Sequence, residues 1–140
     1  MTVLVDTSVW SLALRRKTES DLLEVRELQA LIDELRVQLI GPIRQELLSG
    51  IPNQNQFERL RERLRAFPDL QLSTADYERA AEFFNVCRGQ GIQGSNTDFL
   101  ICAVAAQHGY AILTTDKDFQ LYQRHLPFQL HAVREEIRQE

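Results

Sequence analysis

The chain has 140 residues, with 20 Asp and Glu against 16 Lys and Arg and a formal charge of −4. Apolar residues make up 44% and charged residues 26%, so the expectation is one globular domain, residues 1–140, able to fold without a disulfide or a structural metal. The acidic balance excludes a protein that coats DNA by neutralising phosphates, but not a nucleic-acid enzyme, because local charge counts for more than the total.

Residues 2–5 (Thr-Val-Leu-Val) read as a short buried strand that ends at Asp6. Thr7 or Ser8 is the expected cap of a following helix carrying Val9, Trp10, Leu12 and Ala13. Leu22, Leu23, Val25, Leu28, Leu31, Ile32 and Leu35 recur at helical spacing with charges between them, which predicts an amphipathic helix. Residues 37–40 form a second strand. Pro42 suits the first turn of the next helix and Gly50 the position just past its end. Phe57, Leu60, Leu64 and Phe67 line another helix, and Leu70-Gln71-Leu72 alternates like a short strand. A helix over 76–86 precedes a loop with Gly89, Gly91 and Gly94; an apolar helix then runs from Asp98 to Ala106. Residues 111–114 form a buried strand that leads to Thr115-Asp116, and a helix near 119–123 and a strand near 128–130 complete the core. Strands alternating with helices imply an α/β fold, with a mostly parallel sheet of about five strands covered by helices on both faces. Ligands of such sheets bind outside the carboxyl ends of the strands, at a topological switch point.

Four acids fall where that rule looks. Asp6 and Asp116 follow strands, Asp98 opens a helix, and Glu46 lies in the short helix after the second strand. Alone, each reads equally as a cap, a turn residue or a solvated carboxylate. Gathered at one sheet edge they repel, at about 4 kcal/mol per pair 4 Å apart with an effective dielectric of 20, unless cations sit among them or some stay protonated. An all-oxygen set suits Mg²⁺ or Mn²⁺, and such ions complete their shells with water and phosphate oxygens, which points to phosphodiester chemistry. Zinc is not expected, because His108, His125 and His131 are scattered and Cys87 and Cys102 form no CxxC pair. The cysteines read as buried, reduced thiols. No signal peptide and no apolar run near the roughly 18 residues of a membrane span is found, so the expected location is cytoplasmic, with no membrane partner.

Four blocks carry a resemblance: residues 4–10 (Leu-Val-Asp-Thr-Ser-Val-Trp), residues 41–50 around Glu46, residues 97–103 around Asp98, and residues 113–119 (Leu-Thr-Thr-Asp-Lys-Asp-Phe). In this order, over nearly the whole chain, they closely resemble PIN-domain nucleases, specifically the VapC-type toxin ribonucleases of toxin–antitoxin pairs. The resemblance implies a PIN-like three-layer α/β/α sandwich and a metal-dependent endoribonuclease that hydrolyses RNA. It implies a metal-binding cluster of Asp6, Glu46, Asp98 and Asp116, with Asp118 ranked second and Thr7, Ser8, Thr114 and Thr115 as polar helpers. It also implies a homodimer restrained by a VapB-type antitoxin. Setting the four acids aside leaves sixteen acids against sixteen bases, a near-neutral domain with one acidic pocket.

Candidate substrate contacts are Arg15, Arg16, Lys17, Arg44, Arg88 and Lys117, each of which also reads as a solvated charge. Arg59, Arg61, Arg63 and Arg65 read as a solvated face, because Glu58 and Glu62 interleave at pairing distance. Trp10, Phe99 and Phe119 read as core anchors rather than stacking platforms. Three alternatives stay open. An aspartyl phosphatase wants a second Asp where Ser8 stands. A receiver-type domain leaves Glu46 and Asp98 unexplained. A catalytically silent RNA- or antitoxin-binding module retains the acids without turnover.

Overall fold

The computed structural model describes residues 1–15 and 22–135. Strand β1 (Val3–Val5) is followed by α1 (Thr7–Arg15), α2 (Leu23–Asp33), β2 (Val37–Gln38), α3 (Gly41–Leu48), α4 (Gln54–Leu64), α5 (Thr74–Gly89), α6 (Asn96–His108), β3 (Ala111–Leu113), α7 (Asp118–Gln123) and β4 (Gln129–Leu130). The sheet is parallel throughout, in the order β2-β1-β3-β4, with Val3 opposite Val37 and Ala111 and with Val5 opposite Leu113. The switch point therefore lies where β1 and β3 meet, and Asp6 continues their ladder by donating its N–H to the Leu113 carbonyl at 2.9 Å.

All residues of β1 and β3 are buried. Successive strand side chains point to opposite faces, so burial along the whole run means that both faces are covered. The helices supply that cover: α1 packs on α2 and α3, and α5 packs on α6. Trp10 is buried, edge-on to Phe67 at 5.2 Å, and Phe99 and Phe119 are buried as expected. Cys87 and Cys102 are free and buried. Among the described residues no helix is long and apolar enough to cross a membrane.

Four strands form where about five were expected. The stretch at 70–72 is reduced to a single parallel bridge between Leu39 and Asp69, with the Leu70 N–H on the Leu39 carbonyl at 2.9 Å. Pro68 has no N–H to offer a ladder, and Ser73 is already committed as the cap of α5, which leaves no room for a longer strand. Helix α1 begins at Thr7, so neither Thr7 nor Ser8 is its cap; the Asp6 carbonyl accepts the first bonds, from Val9 and Trp10.

Local chemistry fixes the other helix ends. Pro42 sits in the first turn of α3, and Gly50 follows that helix with φ +81°, a conformation that only glycine adopts without strain. Asn53 caps α4 and Ser95 caps α6. Ser73 and the buried Asp76 form a reciprocal capping box on α5. Ser73→Ala is expected to lower stability by about 1 kcal/mol, read by urea denaturation, because a cap and a bond to a buried carboxylate are both lost; an unchanged midpoint would show that the box is ornamental.

Candidate active site

The site is built on the carboxyl ends of β1 and β3. Asp6 is 6% exposed, and its Oδ2 accepts from the Thr114 hydroxyl at 2.8 Å and from the Ser8 hydroxyl at 2.9 Å. The same two hydroxyls tie down the loop after β3: the Asp116 N–H donates to Thr114 Oγ1 at 2.9 Å, and the Thr115 N–H donates to Ser8 Oγ at 3.2 Å. Asp116 Oδ1 accepts the Asp118 N–H at 2.9 Å, which sets Asp116 over the start of α7. Thr115 thus acts through its backbone, and Asp118 braces the loop through its own.

Asp98 stands in the first turn of α6, where its N–H bonds the Ser95 hydroxyl at 3.0 Å. Its Oδ2 accepts the Tyr122 hydroxyl at 2.8 Å. Burial pushes the carboxyls of both Asp6 and Asp98 above the usual range, and the charge of Asp116 adds to this in each case; Asp98 also feels Asp6. The three aspartates therefore share one field. Hydroxyl donors offset part of the penalty, from Thr114 and Ser8 on Asp6 and from Tyr122 on Asp98.

Glu46 is exposed and is tied to the residue after Asp6, since the Thr7 hydroxyl donates to Glu46 Oε1 at 2.6 Å. Thr7 and Glu46 line a groove of about 500 Å³ that also takes in Pro42, Gln45 and Thr97. Among the described residues no three His, Cys, Asp or Glu side chains converge as a ready-made metal centre. Mg²⁺ does not need one, since it typically keeps several waters and binds through one or two carboxylates plus substrate phosphate. The donor set fits such an ion: it is all oxygen, and two of its acids are destabilised by burial and by mutual charge that a cation would reverse.

The basic candidates divide. The guanidinium of Arg44 is engaged within the fold, by Asp69 at 3.1 Å and by the carbonyls of Leu64 and Phe67, bracing α3 against the segment after α4. Arg88 is exposed with its guanidinium 5.8 Å from the Phe84 ring, and Lys117 is exposed at the start of α7. Arg16, Lys17 and the side chain of Arg15 lie outside the described residues. Arg59, Arg61, Arg63 and Arg65 are exposed as expected.

Tyr122 was not singled out by sequence. The available signal is that Tyr122 falls three residues after Phe119, on the side of the last helix that faces the core, where a buried tyrosine needs a partner for its hydroxyl.

A sequence profile of the PIN domain matches residues 3–124. The protein named VapC ribonuclease Mb1587, from Mycobacterium bovis, is 32% identical over 125 residues, covering 87% of this chain and 92% of its own. Ribonuclease VapC11 of Mycobacterium tuberculosis matches with the same figures. Among solved structures, VapBC2 from Rickettsia felis, bound to a DNA fragment from its promoter, aligns with TM-score 0.72 at 15% identity over 93% of this chain and 96% of that one. FitAcB from Neisseria gonorrhoeae aligns with TM-score 0.68 at 23% identity over 87% and 94%. These structural likenesses speak for the fold.

Proposed function

The chain belongs to the PIN-domain family, and from that premise we propose that it is a VapC-type endoribonuclease that hydrolyses RNA phosphodiester bonds with Mg²⁺ or Mn²⁺ held by Asp6, Asp98, Asp116 and Glu46. The observation that carries this reading is the buried Asp6 at the end of β1 together with the half-buried Asp98 at the start of α6, both raised in pKa by burial and by neighbouring carboxylates. Such an arrangement opposes folding unless it serves to bind charge.

When bound, the ion supplies charge stabilisation at phosphate and acidity to water. The chain does the rest. Ser8 and Thr114 fix one oxygen of Asp6, and Tyr122 fixes one oxygen of Asp98, so both carboxylates present a set orientation. Water attacks phosphorus in line, the bond to the 3′ oxygen breaks, and the leaving oxygen takes a proton from solvent, so that the products carry a 5′-phosphate and a 3′-hydroxyl. Glu46, exposed and steadied by Thr7, is the carboxylate most able to take the water's proton and exchange it with solvent. A VapB-type antitoxin partner, a homodimer and a cytoplasmic setting belong to the same proposal, supported by the kinship with VapC ribonucleases.

The test is cleavage of a mixed RNA pool by purified protein, with ends mapped. EDTA is expected to reduce cleavage to background and added Mn²⁺ to restore it. Asp98→Asn is expected to lower the restored rate at least about a hundredfold, several kcal/mol of charge stabilisation being at stake. Cleavage that persists in EDTA overturns the metal assignment. RNA binding without products in any divalent ion returns the silent-module reading.

A further inference from the structure

We propose that Tyr122 is a positioning residue for the metal site, holding Asp98 in its ligand orientation through a hydroxyl that Gly94 alone leaves room for. The inference rests on the proposed metal-binding role of Asp98. Three observations carry it. The Tyr122 hydroxyl donates to Asp98 Oδ2 at 2.8 Å, across from a different helix, 24 residues on. The ring is fully buried and clamped by Phe99 and Phe119, with centroids 4.9 and 5.2 Å away, so the ring cannot carry its oxygen away from Asp98 without unpacking the core. Directly over it lies Gly94, where a Cβ would run into the Tyr122 hydroxyl and come within 2.9 Å of both Tyr122 Cζ and Phe99 Cε2.

Gly94 does not have a positive φ, so what its position requires is space and not backbone freedom. The loop that passes from α5 to the Ser95 cap is thereby pressed onto the tyrosine. Ser95 fixes the backbone of Asp98 and Tyr122 fixes its carboxylate, so that one short segment sets both ends of the residue. Removing partners that orient a ligand typically lowers metal affinity or activity 10- to 100-fold.

Mn²⁺ alone is titrated calorimetrically into RNA-free wild type, Tyr122→Phe, Gly94→Ala and Asp98→Asn, with thermal unfolding recorded for each and kcat and KM measured on one RNA. Tyr122→Phe keeps the ring and loses only the hydroxyl. The expected result is a Mn²⁺ affinity weakened about tenfold and a lower kcat, with the KM for RNA unchanged. Gly94→Ala, which keeps the tyrosine but displaces its hydroxyl, is expected to show the same split. Folded Tyr122→Phe and Gly94→Ala proteins with wild-type Mn²⁺ affinity overturn the proposal while leaving the nuclease reading intact. Wild-type Mn²⁺ affinity in Asp98→Asn, or no Mn²⁺ binding by the wild type, overturns the metal assignment itself and the positioning role with it.

Discussion

Asp6→Asn is expected to lose RNA cleavage by about a thousandfold, since a metal ion's charge stabilisation is worth several kcal/mol and each 1.4 kcal/mol is a factor of ten. The same variant, in EDTA, is expected to melt at a higher temperature than the wild type. Burial, with the nearby charge of Asp116, holds the Asp6 carboxyl above its ordinary value, so ionising it at neutral pH works against the native state. Asparagine keeps the shape and an oxygen to accept from Thr114 and Ser8, but carries no charge. The gain is on the order of 1 kcal/mol, or a few degrees for a domain of this size. A group whose folded pKa is raised favours the fold fully below its unfolded value, near 3.8, and that advantage drains away as pH rises through the folded value. The two melting curves therefore converge in acid and separate toward neutrality. A variant that is both active and less stable would show that Asp6 serves the fold and not the chemistry.

Arg134→Ala is expected to destabilise the protein by about 3 kcal/mol at pH 7, because it strips a buried carboxylate of its main counter-charge. Glu27 is fully buried in α2 and accepts from Arg134 Nε at 3.0 and 3.1 Å and from its backbone N–H at 3.3 Å, and it shares a 2.6 Å hydrogen bond with His131 Nε2. Arg134 also reaches Glu34 at 2.8 Å, so the segment after β4 is fastened to α2 at two turns. Burial pushes the Glu27 carboxyl up, but the bonds from Arg134 and His131 outweigh it and hold the group below its ordinary range. Its contribution is thus complete above the unfolded value of 4.5 and is lost as pH falls through the depressed folded value. Urea denaturation at pH 7 and at pH 3 should show the penalty of Arg134→Ala shrinking in acid. A loss below about 0.5 kcal/mol at pH 7 is the range of an ordinary surface change and would refute the clasp.

How legible these features were in the sequence depends on how local their causes are. The strands at 3–5 and 111–113 announce themselves as apolar runs, and the acids that follow them fall at the strand ends by simple succession. Helix ends were legible where a cap residue sits beside an apolar period, as with Pro42 and Gly50 around α3. Glu27 carries a signal that is easy to pass over: it stands three and four residues before Ala30 and Leu31, on the buried stripe of a helix whose charges otherwise face solvent. What its partners are could not be read, because they come from 104 and 107 residues away. The partner of Arg44 was hidden for the same reason, since nothing near it in sequence foretells Asp69. The missing fifth strand is a contest between alternation at 70–72 and the proline and cap on either side, which the cap won.

The placement of β1 in the middle of the sheet has a consequence for how the molecule comes into being. Its neighbours are supplied by residues 37–38 on one side and 111–113 on the other, and one of the two hydroxyls that steady Asp6 lies 108 positions further along the chain. Pairings over such separations form late and slowly, after the loop between them has been closed. On a translating ribosome Asp6 is made long before Thr114 and Asp116, its distant hydroxyl donor and its charged neighbour. An acidic cluster assembled this way is incomplete in every fragment that ends before β3, so the strand order itself delays the site until the sheet can close.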